Sequence, residues 1–135
     1  ETQILGFANR WYPLAMQTAQ WVELPNTLKV RLIAAPVFLA TKFEAFADRG
    51  KGDFLGSHDL EDIVNVLDGR PELIDEVSAC SMALREYLAE QCAALLAIPK
   101  FRDALQGMVF PDESLDERVQ MLVERFRQIA EMKRA

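Results

Sequence analysis

The sequence predicts an α+β fold that is mostly α-helical, with a small β-hairpin followed by a helical bundle. Two runs, WVEL and LKVRLIA, have the composition of strands and are joined by the turn-forming residues PNT, which predicts the hairpin. Beyond residue 35, apolar side chains recur at the spacing of amphipathic helices. The 135 residues are 50% hydrophobic, which is enough for one domain with a real core.

Charge is distributed unevenly along the chain. Residues 1–56 carry six basic and five acidic side chains, a net +1, and residues 57–135 carry nine and sixteen, a net −7, so the whole chain has a net charge of −6. This distribution argues against a broad nucleic-acid footprint on the helical part. It allows only a local basic site, near Arg31, Lys42, Arg49 and Lys51.

The sequence carries no membrane signal. No apolar run approaches the roughly 20 residues that cross a bilayer, and ETQILGFANR lacks the basic and then apolar pattern of a secretory signal. We therefore expect a cytoplasmic protein that has no membrane partner.

The N-terminal elements follow from local signals. ANRWYPLAMQTAQ predicts a short helix before the hairpin. In the second strand apolar and basic residues alternate, which is typical of a sheet with one wetter face; the alternating residues are Leu28, Lys29, Val30, Arg31 and Leu32. Pro36 suits the first turn of a helix that runs to Gly50.

The later helices are marked by caps and breaks. Ser57 is predicted to cap the helix SHDLEDIVNVLDG, which ends at Gly69 and has carboxylates in its first turn, where the helix dipole favours them. PELIDEVSACSMALREYLAEQCAALLAI runs either as one helix or as two helices broken near residues 78–81. KFRDALQGM predicts a short helix, and Ser114 is predicted to cap a terminal helix. The apolar side of that terminal helix comprises Leu115, Val119, Leu122, Val123, Phe126 and Ile129.

Two features that invite a chemical interpretation are better explained structurally. The connector GKGDFLGS contains Lys51 among glycines, but it follows a helix and its lysine precedes the later glycines, so an interhelical loop is favoured over a phosphate-binding loop. Cys80 and Cys92 are predicted to be core residues. A continuous helix would set them about 18 Å apart, and no C-x-x-C pair supports a zinc site.

The stretch ATKFEAFADRG, residues 40–50, places two cations where burial is expected. On a helix of about 3.6 residues per turn, Lys42 lies between Phe38 and Phe46, and Arg49 follows on the same stripe. The rest of this apolar arc is Leu39 and Phe43, and the opposite arc is Thr41, Glu44 and Asp48. One such cation is explained by a long side chain that covers apolar surface while its charge reaches water. Two cations on the same stripe instead favour a functional role.

The helix that begins after Ser57 has the same feature with the opposite charge. Its core-facing arc is formed by Leu60, Ile63, Val64 and Leu67, and Asp59 projects onto the flank of that arc with Asp62 beside it. Complementation of the helix dipole would explain each carboxylate separately. The alternative is that the basic pair and the carboxylate meet at a polar site between two antiparallel helices.

These residues resemble the third and fourth motifs of the AbiEii-type abortive-infection nucleotidyltransferases. Those motifs have the form K-[LF]-x-A-x-x-x-R, followed nearby by D-x-x-D-[LI]. The first is matched by Lys42, Phe43, Ala45 and Arg49, and the second by Asp59, Asp62 and Ile63. The resemblance extends from about LGFANRWYP to DGRPELIDEV, and residues after about 80 share only a helical character with the family.

The resemblance implies a function and a set of site residues. Lys42 and Asp59 would be catalytic, and Arg49 and Asp62 would bind substrate. Lys51, which lies between the two motifs, is a further candidate for substrate binding. The family belongs to the DNA polymerase beta-like superfamily, which implies a Mg²⁺-dependent transfer of a nucleotidyl group from a nucleoside triphosphate to an RNA or protein acceptor. A toxin role with an antitoxin partner is a family association only.

The family's earlier motifs, a glycine-containing turn leading into paired acidic residues on strands, do not occur in ETQILGFANRWYPLAMQ. We therefore expect residues 1–135 to be a single-domain fragment, the C-terminal part of a nucleotidyltransferase-like fold. In that fragment residues 1–35 would complete a missing N-terminal sheet, and residues 36–135 would form the helical region. Mg²⁺ is expected only with the missing part, and the fragment alone is expected to be inactive.

The alternative function is a non-catalytic helical module for protein interaction or homo-oligomerisation. Such a module would use an acidic surface to which Met108, Met121 and Met132 contribute. Three aromatic residues near the hairpin, Trp11, Tyr12 and Trp21, could stack on a base, although packing is the commoner role of aromatics beside a sheet.

Overall fold

The computed structural model describes residues 9–49, 57–109 and 113–134. Within these ranges the chain forms seven α-helices, one antiparallel two-stranded sheet and a terminal 3₁₀ helix at Glu131–Arg134. The predicted mostly helical α+β architecture is therefore confirmed. In chain order the elements are α1 (Tyr12–Thr18), β1 (Gln20–Glu23), β2 (Lys29–Leu32), α2 (Ala35–Arg49), α3 (His58–Gly69), α4 (Leu73–Ala79), α5 (Met82–Leu96), α6 (Phe101–Met108) and α7 (Leu115–Ala130).

The hairpin has a three-residue loop, residues 25–27, because the Leu24 N–H donates to the Leu28 carbonyl at 2.7 Å beyond the last pair of the strands. β1 and β2 pair in a register that runs from Gln20 opposite Leu32 to Glu23 opposite Lys29. The loop ends at Thr27, whose φ of 66° is left-handed. A left-handed last residue is typical of three-residue hairpin loops, because it returns the chain to the strand direction. The sequence PNT thus forms the predicted turn.

The two faces of the hairpin differ in polarity as the alternation predicts. One face carries Trp21, Glu23, Lys29 and Arg31, and the other carries Gln20, Val22, Val30 and Leu32. On the less polar face Leu32 is 52% exposed. A cleft of about 750 Å³ lies between this face and the helices, with Val22 and Leu32 on one side and Leu84 on the other.

Helix α2 lies at the centre of the helical part, where it contacts α1, α3, α4 and α5. Leu39, Phe43 and Phe46 are buried as predicted. Thr41 is buried as well, and the half-buried Glu44 accepts a hydrogen bond of 2.7 Å from the Tyr87 hydroxyl of α5. The predicted polar arc at Thr41 and Glu44 is therefore not a solvated one, because other elements of the fold cover that side of α2.

Helix α3 is fixed at both ends. The Ser57 hydroxyl accepts a hydrogen bond of 3.1 Å from the Leu60 N–H, which is the predicted cap. At the other end Arg125 of α7 donates to the carbonyl oxygens of Leu67 at 2.5 Å and Asp68 at 3.2 Å. The last carbonyls of a helix have no partner within the helix, so α7 supplies one from outside. The predicted apolar arc is fully buried and comprises Leu60, Ile63, Val64 and Leu67.

The long helical stretch after Pro71 is broken, which decides between the two predicted alternatives. α4 ends at Ala79, and Ser81 caps α5 by accepting a hydrogen bond of 3.4 Å from the Leu84 N–H. Cys80 lies in the break and is half-buried, whereas Cys92 is fully buried in α5, and both are free thiols. The prediction of a core cysteine is confirmed for Cys92 and only partly for Cys80.

Helix α7 closes the core against α5 and α6. Phe126 packs edge-to-face on Phe101, with ring centroids 5.1 Å apart. Four residues of the predicted apolar side are buried, namely Val119, Leu122, Phe126 and Ile129. Ser114 occupies the N-cap position of α7, but its side chain makes no cap hydrogen bond. That predicted cap is wrong because the Ser114 backbone, with a ψ of 19°, is outside the extended conformation that capping needs.

No described helix combines the length and the apolar character that a membrane span requires. The longest of the helices within residues 9–49, 57–109 and 113–134 is α7, which has 16 residues and an alternation of charged and apolar side chains.

Replacement of Arg125 by alanine is predicted to lower the free energy of unfolding by about 1.5–3 kcal/mol, because the α3 carbonyls lose a charged donor. The matched control is Arg127→Ala, two residues further along α7, where the exposed arginine pairs with Glu124 and Glu131 of its own helical stretch. Urea titration of both variants measures the difference. Equal stabilities would show that Arg125 does not anchor α3.

Candidate functional site

The ammonium group of Lys42 lies between two carboxylates of α3. Its Nζ is 2.8 Å from Asp62 Oδ2 and 3.7 Å from Asp59 Oδ1. The predicted meeting of a cation from α2 with a carboxylate from α3 is confirmed, and Asp62 is part of the same cluster. We call Lys42, Asp59 and Asp62 the charged cluster.

Local sequence explains this arrangement. Asp59 and Asp62 are three positions apart at the start of α3, so both point to the same side of the helix. Leu60 and Ile63, which alternate with them, are fully buried and hold α3 against the rest of the core. The carboxylates also lie where the positive end of the helix dipole favours negative charge.

The three side chains of the charged cluster differ in their exposure to solvent. The side chains of Asp59, Lys42 and Asp62 are 11%, 27% and 41% exposed, respectively. The Lys42 Nζ is also 5.4 Å from the centroid of the Phe38 ring, within the range of a cation–π contact. The ammonium is thus held from the protein side by Asp59 and Phe38 and remains reachable from solvent beside Asp62.

Burial makes the Asp59 end of the cluster the more costly one to disturb. A carboxylate removed from water needs a compensating charge or hydrogen bonds, whereas an exposed one is solvated and screened by salt. The Lys42–Asp62 pair has the shorter distance, but Asp62 is the more exposed of the two carboxylates. Asp59 therefore defines where the lysine stem points, and Asp62 is the more replaceable partner.

Two of the predicted substrate-binding residues cannot be located in this cluster. Arg49 is the last residue of α2, but its side chain lies outside the described part of the structure. Lys51 falls in residues 50–56, which also lie outside the described residues. Their predicted contact with substrate stays a prediction.

The charged cluster does not fit a magnesium site. Mg²⁺ takes an octahedral set of oxygen ligands, whereas here a lysine ammonium lies between the two carboxylates. Within the described ranges no group of three or more His, Cys, Asp and Glu side chains is placed to hold a metal ion. The group of this cluster that an anion could contact is the Lys42 ammonium, which is already paired with two carboxylates.

A second polar cluster is not predicted by the sequence. The Arg10 guanidinium lies 4.7 Å from the ring centroids of both Trp11 and Tyr87. Burial, followed by the hydrogen bond to Glu44, raises the pKa of the Tyr87 hydroxyl well above its ordinary value. Buried Asn9 also connects this region to α2, because its side-chain amide donates a hydrogen bond of 2.9 Å to the Thr41 carbonyl oxygen. These contacts join residues far apart in sequence, so no local pattern indicates them.

The aromatic residues near the hairpin divide into two kinds. Trp11 is buried, and its ring packs at 5.0 Å from Tyr87, which confirms the structural role preferred for it. Trp21 is 68% exposed on the polar face of the hairpin, so packing does not explain it.

Comparisons with protein-family models, with curated proteins and with solved structures give no match. The interpretation of the charged cluster therefore depends on its own geometry and on the motif resemblance.

The substitution Asp59→Asn is predicted to lower the free energy of unfolding by about 1–3 kcal/mol, because a buried carboxylate beside an ammonium is lost. Asp62→Asn is the matched control three residues away, with an expected cost of about 0–1 kcal/mol that falls as salt screens the exposed pair. Urea titrations at low and high NaCl concentration test both. A larger cost for Asp62→Asn at every salt concentration would contradict the assigned order.

Proposed function

We propose that these residues form the C-terminal part of a Mg²⁺-dependent nucleotidyltransferase of the AbiEii type. The protein would transfer a nucleotidyl group from a nucleoside triphosphate to an RNA or protein acceptor. The observation that carries this proposal is the lysine of one motif held between the two carboxylates of the other. Three of the residues that carry the resemblance, Lys42, Asp59 and Asp62, are thus also neighbours in space.

The proposed role of Lys42 is to neutralise charge on the triphosphate. A positioned ammonium stabilises phosphate oxygens more strongly than water does, because it needs no reorganisation when negative charge develops. Asp59 would orient Lys42 from the buried side. Asp62 is the more exposed partner, and in place of the substrate-binding role predicted for it, it would give way when phosphate oxygens approach the ammonium.

The magnesium ligands are proposed to lie in another part of the protein. The charged cluster has an ammonium where a metal would need open carboxylate oxygens, so it does not supply them. Paired carboxylates on strands adjoining the hairpin would do so, as the resemblance implies. The 135 residues alone would then bind and orient, without catalysing transfer.

The alternative proposal is a non-catalytic module for protein interaction or oligomerisation. The exposed apolar side chains of α1 and the hairpin favour it, among them Met16, Leu28 and Leu32. The predicted methionine surface does not favour it, because Met108, Met121 and Met132 are half-buried against the core. An antitoxin remains a family association within either proposal.

Calorimetry with each nucleoside triphosphate and Mg²⁺, on the intact protein, tests the function. Wild type is expected to bind one of them, and Lys42→Ala is expected to weaken that binding by about 10- to 100-fold, through loss of a charge-assisted contact. Lys100→Ala is the matched control, because Lys100 is exposed in the acidic half of the chain. Asp62→Asn should bind at least as tightly as wild type, whereas Asp59→Asn should bind more weakly.

Absence of binding by wild type, or binding that Lys42→Ala leaves unchanged, would favour the interaction module. Circular dichroism of each variant separates loss of the site from loss of the fold.

A further inference from the structure

Trp21 lies on the polar face of the hairpin with most of its ring in water. An indole can bury some 150–250 Å² when it finds a partner, so its exposure leaves a large stabilising contact unused. The apolar neighbours that would make this a protein-binding patch, Val22 and Leu32, belong to the other face of the hairpin. The side chains that share the face with Trp21 are charged.

Two cations accompany this ring. Arg31 is the cross-strand partner of Trp21, and its guanidinium carbon lies 5.8 Å from the ring centroid. One of its nitrogens donates to the Met16 carbonyl at 2.5 Å, which holds the guanidinium in place while other donors stay available. Lys29 is exposed on the same face, one pair further along the ladder, opposite Glu23. An open depression of about 530 Å³ is lined by Trp21, Val22, Glu23 and Lys29.

An aromatic platform beside fixed cations is the combination that single-stranded nucleic acids use. Each base offers a flat surface that stacks on an aromatic ring, and each phosphate offers a charge for Lys or Arg. Protein hot spots instead surround an aromatic anchor with further apolar contacts. The net charge of −7 on residues 57–135 would also repel a polyanion from the helical part and leave the N-terminal part, with +1, as the approachable side.

We propose that the face formed by Trp21, Lys29 and Arg31 binds a single-stranded polynucleotide. Trp21 stacks on one base, and Lys29 and Arg31 contact the flanking phosphates. Binding at this face does not depend on nucleotidyl transfer. The further step, that the bound strand is the acceptor and a protein is not, rests on the proposed function.

Fluorescence anisotropy of labelled oligouridylate and oligothymidylate with the intact protein measures the binding. Trp21→Ala is expected to weaken it at least about fivefold, the lower end of a stacking contribution of about 1–3 kcal/mol. Lys29→Ala is expected to reduce the slope of log K against log salt by about 0.7, the value for one phosphate contact on a single strand. Lys100→Ala is the matched control and should change neither quantity.

A second measurement uses Trp21 as its own reporter. Residues 1–135 contain two tryptophans, so Trp11→Phe leaves Trp21 as the only one among them. Oligonucleotides are expected to quench its fluorescence, whereas inorganic polyphosphate, which has charge but no bases, should not.

Three results would overturn the proposal: polyphosphate that binds as tightly as the oligonucleotides, oligonucleotide binding that Trp21→Ala leaves unchanged, and self-association that Trp21→Ala abolishes without any oligonucleotide binding. Lys42→Ala separates this proposal from the proposed function. It should weaken binding of the triphosphate by about 10- to 100-fold and leave oligonucleotide binding intact, so each can fail without the other.

Discussion

The packing of α2 against α3 is the interaction on which the rest of the structure depends. α2 contacts α1, α3, α4 and α5, so its side chains are buried on nearly every side. Lys42 of α2 lies at the contact with α3, which supplies the two carboxylates beside it. The Lys42 ammonium contacts Asp59 and Asp62 of α3 and the Phe38 ring of its own helix. The same contact that closes the core thus creates the charged cluster.

The two ends of α3 have different roles, and different residues carry them out. At the C-terminal end Arg125 binds carbonyl oxygens and Arg118 pairs with Asp68, so α7 fixes that end through the cations it contributes. At the N-terminal end the hydroxyl of Ser57 satisfies one backbone N–H, which leaves the carboxylates of the first turns available to Lys42. Anchoring one end from outside allows the other end to carry charge at a partly exposed position.

Helical periodicity was sufficient to predict most elements and the core of the charged cluster. Lys42 and Asp59 break the apolar pattern of their helices, and a break of that kind is visible in sequence. The contact between Tyr87 and Glu44 was not predictable, because it depends on α5 covering α2 and joins residues 43 positions apart. The exposure of Trp21 was not predictable either, since alternation assigns a residue to a face of a sheet but does not say what covers that face.

The charge balance of the cluster constrains how it could handle a triphosphate. One ammonium beside two carboxylates leaves a local net charge of −1, which opposes an anion even though the lysine is exposed. Two features of the proposal offset this charge. Arg49 and Lys51 are proposed to bring two further cations to the site, although their side chains lie outside the described residues. A triphosphate also reaches such enzymes with Mg²⁺, which cancels part of its charge. Under the proposed function, the cluster would therefore bind a triphosphate only together with these neighbouring cations and Mg²⁺. Lys42 would then contribute to the stability of the fold through its ion pairs and also to binding.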